Sequence, residues 1–553
     1  MSIFSTGLSG LNAAQNALAS TSNNISNVYT PGYNREVTVL GESSTGTGGV
    51  RVNDIQRQFN RYVADQLNDA TSKTSALQTY GTQVEQIDNL LADEAAGLSP
   101  LMQDFFSSME DLASAPSDPA ARQGVLGAAD TLSAQFRSFD GYLQDMQDGI
   151  NGQIEDEVTQ INNTTEQLGS INREIALARA KQGEAPNALL NQRDQLVHEL
   201  SERMDLRLDI QDGKSYNVSL PNGQPLVMGD RSFKLEAMAS LEEPQRTVVG
   251  YPDSSGNVRA LDEDAVTGGA LGGLMSFRSE TLDKTQNQIG QMAASLAVAL
   301  NQQHAQGVDM NDEQGGDFFT IGEPRAFSAE GNAGTAGISG VAFDADNIAQ
   351  LKASDYTVRV TDAAASPATF EITRKDTGET FDAALSDADG DGSINDLGFG
   401  GITLTFDDPA SLADNDRFEI QPVRRAAGGL ESAIGDADKI AAAGPGGGSG
   451  NNENALALQD LQQASVVGGS ASLSEAYASM VSDVGNRTKI VQVNLEAQQG
   501  LSEQLEAVQQ SESGVNLDEE AANLIRYQQY YQANAKVIDT ASSVLDTVLG
   551  LRG

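Results

Sequence analysis

Apolar residues near the start of the chain fall at Phe4, Leu8, Leu11, Leu18 and Ile25, and Gln15 and Ser22 fill the gaps in an alternating four-and-three spacing. The same spacing runs through Leu517, Ala521, Leu524, Gln528, Tyr531, Ala535, Ile538, Ser542, Leu545 and Leu549 at the other end. This is the period of about 3.5 residues that marks a coiled-coil seam. Both stripes are narrow and interrupted by polar residues, and short helices of that kind are marginal alone. The pattern predicts two terminal helices that need each other, or neighbouring chains, to stay ordered. A terminal helix packed on its own domain is the plainer alternative.

Between the ends the period changes several times. Arg35 to Leu40, with Val37 and Val39, and the set Val50, Val52, Ile55 after Gly48-Gly49 alternate as short strands do. Arg61 to His198 reads as helix. Asp118-Pro119 is a helix start, with the carboxylate capping and proline at the first position. Ala185-Pro186-Asn187 is a break before a further helix to Met204. Leu206, Leu208, Ile210 and then Tyr216, Val218, Leu220 alternate, and Asn222-Gly223 is a hairpin signal. Helix returns from Ser276 to His304. A second strand-rich stretch carries Tyr356-Val358-Val360, Phe370-Ile372, Ile402-Leu404-Phe406 and Phe418-Ile420. Gly444 to Gly450 reads as a flexible linker, and helix resumes from Ala455 to Gln510. No fixed-period repeat is present.

The expected fold class is therefore α+β and multidomain: a terminal α-helical coiled coil and a long helical bundle, with β-rich domains inserted mid-chain. The expected units are 1–35 with 513–553 as the terminal coiled coil, and 36–204, 276–306 and 451–512 as the bundle. Residues 205–275 form a first β-rich domain, 307–443 a second and outer one, and 444–450 the linker. A rod with the paired ends at one pole is the simplest arrangement. The length of 553 residues fits three or four domains.

Charge narrows the function. The formal net charge is −44, which argues against nucleic acid, whose phosphates would be repelled, and against anionic membranes. Stacking many such chains should be favoured by salt, because screening shortens repulsion to about 10 Å at 0.1 M. No apolar run approaches the roughly 18 residues of a bilayer span, so membrane insertion is not expected. The start lacks a basic region followed by a continuous apolar one, so a general secretory signal is not expected either. The chain stays inside or leaves by another route. Cysteine is absent, which removes disulfides and thiol chemistry and suits a chain exported unfolded.

The search for catalytic chemistry returns little. His198 and His304 are the two histidines, and the first lacks the second histidine of a zinc-protease helix. No phosphate-binding loop, dinucleotide fingerprint or nucleophilic triad is spaced out in the chain. No enzyme activity and no cofactor are expected. Asp387, Asp389 and Asp391, with Gly392, Ile394 and Asn395, match the first half of a calcium loop. Gly398 stands where the bidentate glutamate belongs, and an acidic β-turn is the competing reading.

The stretch "SNNISNVYTPGYNRE" (Ser22–Glu36) ends an opening run of 34 residues without a charged side chain. Asn23-Asn24-Ile25-x-Asn27 followed by Thr30-x-Gly32-Tyr33-x-Arg35 resembles the N-terminal signature of bacterial flagellar axial proteins. "APNALLNQRDQLVHEL" (Ala185–Leu200), "VVGGSASLSEAYASMVSDVGNRT" (Val466–Thr488) and "SGVNLDEEAANLIRYQQYYQANAKVI" (Ser513–Ile538) are similar to the hook-associated protein 1 family, the first hook–filament junction proteins. The resemblance covers nearly the whole chain.

It implies a tube-lining terminal domain, stacked helical domains and outward β domains. It implies export by the flagellar type III apparatus and a cytoplasmic chaperone on the C-terminal helix. It also implies assembly with further copies of itself, with hook protein and with the second hook–filament junction protein, on the extracellular flagellum. Uncharged, amide-rich side chains can pack against their own copies without like-charge cost, and asparagines can satisfy backbone groups where a helix ends. The ends are expected to order on association, which must offset roughly 1–2 kcal/mol per residue. A hook or distal rod protein of the same family, and a secreted adhesin with a coiled-coil stalk, are the alternatives. The "SGVNLDEE" run and the long helical block favour the junction proteins over the first.

Overall fold

The computed structural model describes residues 3–42, 49–92, 97–211, 215–253, 255–388, 390 and 392–550. Ten α-helices frame it: α1 (Ile3–Ser26), α2 (Arg61–Ala92), α3 (Leu98–Ser114), α4 (Pro119–Gln182), α5 (Asn187–Arg203), α6 (Gly269–Phe277), α7 (Asp283–His304), α8 (Glu453–Asp460), α9 (Leu473–Ser513) and α10 (Leu517–Gly550). A π-helical turn, Arg278–Leu282, joins α6 to α7. At 64 residues, α4 is about 95 Å long at 1.5 Å per residue.

The start of α4 is the one its sequence marks. Asp118 accepts from the Ala120 amide beside Pro119, and Gly183 closes the helix in the left-handed conformation at φ 87°. The helix expected from Ser276 begins earlier, at Gly269. The helix expected from Ala455 to Gln510 is interrupted: α8 ends at Asp460 and α9 starts at Leu473. Gly468 and Gly469 take positive φ in the intervening loop. Ser472 then caps α9, its hydroxyl accepting from the Glu475 amide while Glu475 reaches back to Ser472.

Among the described residues two hydrophobic cores organise the chain. The larger one joins the bundle, through Val84, Phe105, Leu132, Phe136, Ile150 and Met480, to strands that follow α5. Those strands, 207–211, 215–219, 225–228 and 231–232, form one antiparallel sheet, and 236–239, 247–252 and 258–260 form another. Val218, Val227 and Val249 enter the helical core. Polar side chains of α4 fasten these strands: the Asn172 amide donates to the carbonyls of Tyr216 and Gly229, and Asn162 donates to Leu235 O and accepts from Leu235 N.

The second core is built by residues 325–426, with Ala294 of α7 packed into it. Strands 325–328, 417–421, 356–362, 369–374 and 380–384 form a five-stranded sheet in that order, beside a three-stranded sheet of 338–343, 402–406 and 396–399. Val358, Val360, Phe370, Leu404, Phe406 and Phe418 fill the space between them, with the Phe370 and Phe406 rings stacked 5.5 Å apart. The alternation of the sequence maps onto this buried face. Near the chain start, strands 36–42 and 50–57 pair as an antiparallel hairpin.

Candidate assembly interface

The two terminal helices pair antiparallel. Gly7 faces Ile538, Gly10 faces Asn534, and Asn24 meets Glu520. The approach is close: a Cβ on Gly7 would lie 2.9 Å from Ile538 Cγ1. The face of α1 that closes the pair carries small residues, with Gly7, Ala13, Ala14, Ala17, Ser20, Thr21 and Asn24 buried. The large apolar residues of the seam lie elsewhere. Phe4 and Leu8 are exposed, and Leu11, Leu18 and Ile25 are half-buried. On α10, Leu517, Tyr531, Leu545 and Leu549 are exposed and Leu524 and Ile538 half-buried. Because Ile538 already meets Gly7, the end of α10 runs past the start of α1. Val544, Leu545, Val548 and Leu549 there are each more than half exposed.

A polar junction anchors the base of the pair. Asn24, 1% exposed, donates to Glu36 O at 2.9 Å and to Glu520 Oε2 at 3.1 Å. Its Oδ1 accepts from Tyr33 Oη and from the Glu36 amide, each at 2.9 Å. Arg35 pairs with Glu519 and Glu520 at 2.8 Å, and its amide donates to Ser513 O. Burial, then the charges of Glu36 and Glu520, push the Tyr33 phenol up and keep it protonated. Asn27 returns its side-chain amide to Asn23 O and accepts from Thr30 Oγ1. Gly32 turns the chain at φ 71°, against Gln195. Asn34 reaches Asn191 on α5, which also accepts from Arg57, and Arg57 pairs with Asp194 at 2.6 Å. The signature residues thus tie α1, α10, the hairpin and α5 together.

The remaining candidates are separate. His304 is buried, with Nδ1 donating to Gly316 O at 2.7 Å and Nε2 accepting from the Ala441 amide at 2.8 Å. Burial holds its pKa down, so it is a neutral structural pin. His198 bonds Asn68 Oδ1 at 3.0 Å. Asp387 is exposed and accepts from the Gly392 amide at 3.2 Å. Asp389 and Asp391 lie outside the described residues. Among the described residues no cluster of three or more His, Asp or Glu is arranged to hold a metal, and no helix is long and apolar enough to cross a membrane.

Sequence reasoning missed the small-residue face, although Gly7, Gly10, Ala14, Ala17, Thr21 and Asn24 repeat at the same three-and-four spacing as the large residues. It also missed a buried ionic network between the outer β core and the body. Arg424 contacts Glu243 at 3.0 Å, Asp283 at 3.3 Å and Asp355. Arg246 contacts Asp283 at 2.6 Å and Glu263 at 2.9 Å, and Arg278 contacts Glu263 at 2.9 Å. Desolvation raises the pKa of the half-buried Asp283 carboxyl, but Arg246 and Arg424 outweigh it and hold the value at about 2. Glu419 is pushed up to about 7, chiefly by burial. No local motif announces such partners, which come from distant segments.

The comparisons with known proteins point the same way. Residues 84–319 match the family model described as the flagellar hook-associated protein FlgK helical domain. The ends match two more: residues 4–34 the flagella basal body rod protein model, and 509–551 the flagellar basal body rod FlgEFG protein C-terminal model. The chain is 39% identical to the flagellar hook-associated protein 1 of Salmonella typhimurium and to that of Escherichia coli, with all of each chain covered. The solved flagellar hook junction protein FlgK from Burkholderia pseudomallei is 26% identical, with a TM-score of 0.73 over 81% of this chain and 100% of that one.

Proposed function

The chain belongs to the flagellar hook-associated protein 1 family, and we infer that it joins hook to filament as a structural, non-enzymatic part of the bacterial flagellum. Copies stack into a short tubular junction zone through the outward faces of α1 and α10, with Phe4, Leu8, Leu11, Leu18, Ile25, Leu517, Leu524, Tyr531, Leu545 and Leu549 as the assembly seam; Ile538, which packs on Gly7, belongs to the closed face of the pair. The observation that carries this reading is the division of α1 into a closed face of small residues and an open one of large residues, beside an α10 whose large residues past Ala541 are exposed. Exposed apolar side chains of this extent on one pole are what an association surface looks like.

The finer reading follows from the family. Residues 1–35 and 513–553 form the inner, tube-lining unit, and the outer β core at 325–426 faces away from the axis. Hook protein lies on one side and the second junction protein on the other. The chain leaves through the type III export apparatus and acts outside the cell, and a cytoplasmic chaperone covers the exposed end of α10 beforehand. A deletion strain tests the function: cells are expected to keep hooks, lack attached filaments and shed flagellin. Normal filaments on that strain would refute it.

A further inference from the structure

The ionic network lies where the outer β core meets the body, and its charges do not balance. Along strands 356–362 and 417–421, Val358, Phe418 and Ile420 point into the outer core. Thr357 and Glu419, paired across the two strands, therefore lie on the opposite face of the sheet. Asp355 and Lys375 sit at the end of that face, and the Lys375 amide donates to Asp355 O. The body covers it. Val423 seats so closely on α7 that a Cβ on Gly290 would lie 1.8 Å from its carbonyl oxygen. Next to it, Arg424 is reached from the body side by Glu243 and Asp283.

Five carboxylates, Glu243, Glu263, Asp283, Asp355 and Glu419, meet four cations at this seam: Arg246, Arg278, Arg424 and Lys375. Other charges of the sheet are satisfied apart from it. Arg359 pairs with Glu371, Arg374 with Asp376 and Glu379, and Arg417 approaches Glu242 at 4.0 Å. Arg325 turns to Gln245. One negative charge is left over where Glu243, Asp355, Glu419 and Arg424 are all buried. An unbalanced buried charge is costly, and a carboxylate takes up a proton instead. Two are placed to do so. Asp355 touches Arg424 through Oδ2, and its Oδ1 makes no hydrogen bond among the described residues. Glu419 meets Lys375 at the rim, at 2.5 Å. Burial raises both carboxyls, Glu419 to about 7, and Arg424 and Lys375 offset it in part. Groups so close titrate as one unit.

We propose that this network is a proton-dependent latch: one proton shared between Asp355 and Glu419 holds the outer β core on the body, and its loss in alkaline medium loosens the seam. Both groups are raised in the folded state, so their stabilisation is present at low pH and is lost as pH rises through about 7. The deprotonated network sets Asp355 and Glu419 against Glu243 across the seam, and opening relieves this by admitting water. The latch does not depend on how copies of the chain assemble.

The chain has no native cysteine, so a single thiol can report the seam. Ala294→Cys places one where α7 packs into the outer core, and Ala368→Cys places a control inside the outer core itself. Thiol labelling is followed in the full-length chain with Glu419 and with Glu419→Gln, and the ratio of the two rates at each pH cancels the titration of the thiol. At position 294 this ratio should climb at least about tenfold from pH 5 to pH 8, and at position 368 it should stay level. Glu243→Gln removes the excess charge from the body side and should flatten the climb, whereas a mere loss of packing would raise labelling equally at every pH. Amide exchange at Gly322, bonded to Ala426 O at the root of the outer core, should show the same climb with no cysteine introduced. A ratio at position 294 and at Gly322 that does not change with pH, or an equal climb at position 368, would overturn the latch.

Discussion

Arg424→Met removes a charge from the buried network while keeping a long side chain in its place. Three carboxylates feel the loss unequally. Asp283 retains Arg246 at 2.6 Å and Glu243 retains the same guanidinium at 3.9 Å. Asp355, 4% exposed, has its direct ion partner in Arg424 and keeps only the more distant pull of Lys375. Removing one partner of a buried pair costs about 3–5 kcal/mol, and the low end applies where two of the three carboxylates stay paired. About 3 kcal/mol corresponds to roughly 100-fold in an opening equilibrium. The cost falls between the outer β core and the body, because Asp355 and Arg424 flank strands of the outer sheet and Glu243 and Asp283 do not. Amide exchange should read it at Gly322 and Lys375, whose N–H groups bond to Ala426 O and Asp355 O, while the interior of α4 stays unchanged. Burial already raises the Asp355 carboxyl, and losing Arg424 raises it further. A carboxyl raised in the folded state stabilises at low pH and loses that contribution as pH rises through its folded value. The gap between variant and wild type should therefore narrow from pH 8 to pH 5. A difference under about threefold at pH 8, or a gap that widens on acidification, would refute the reasoning.

Asn24→Ala leaves the Glu36 amide and carbonyl and the Tyr33 hydroxyl without their partner, at about 2–4 kcal/mol in total. Exchange at residues 13–24 and 520–538 of the purified chain should rise at least tenfold, and an unchanged profile would mean that the junction does not anchor the pair. Leu545→Ser with Leu549→Ser alters exposed positions, so the thermal stability of the monomer should move by less than about 0.5 kcal/mol while hook–filament attachment is lost. Motile cells secreting this variant would contradict the seam. Glu419→Gln removes a group raised to about 7, whose stabilisation is lost as pH climbs through that value. The variant should flatten stability between pH 5 and 8, and an unaltered slope would count against the assignment. Raising salt should favour self-association of this acidic chain by screening, and association that weakens steadily with salt would speak against stacking through apolar faces.

The elements that could be read from the chain are those whose signal is local. Asp118-Pro119 caps α4 because capping needs neighbouring residues only. Val358, Val360, Phe370 and Phe406 alternate because a strand buried on one face imposes that period wherever its partner lies. The gap between α8 and α9 was harder to read. Leu461 to Val467 has no proline, and its break depends on two glycines and on the Ser472–Glu475 cap, which sit inside a sequence otherwise compatible with helix. The extents of the terminal helices are legible in their apolar period, but the inner face of α1 is not, because a hydrophobic pattern finds large residues and overlooks small ones. Gly7 and Gly10 serve by lacking bulk, which reads as silence on a hydropathy scale. The ionic network is the extreme case: Glu243, Asp283, Asp355 and Arg424 are far apart in sequence, and only the fold brings them together.

The open seam and the polar junction together give the terminal pair a polarity. Asp518, Glu519 and Glu520 occupy the first turn of α10, where the partial positive charge of a helix start favours them. Two of them also hold Arg35, the first charged residue of the chain. The base of the pair is thus fixed by groups that are costly to leave unpaired, and α1 runs from there to its start without a single charge. Toward the tip, among the described residues, no ion pair joins the two helices. Small-residue contacts continue as far as Gly7, and past Ala541 the side chains of α10 are exposed. Ordering each residue costs about 1–2 kcal/mol, and at the tip little within the chain offsets it. On the proposed assembly, neighbouring copies cover the remaining apolar surface, which would place the dependence on assembly at the tip. On the same reading, a base held by these groups would also set the register in which the seams of successive copies meet.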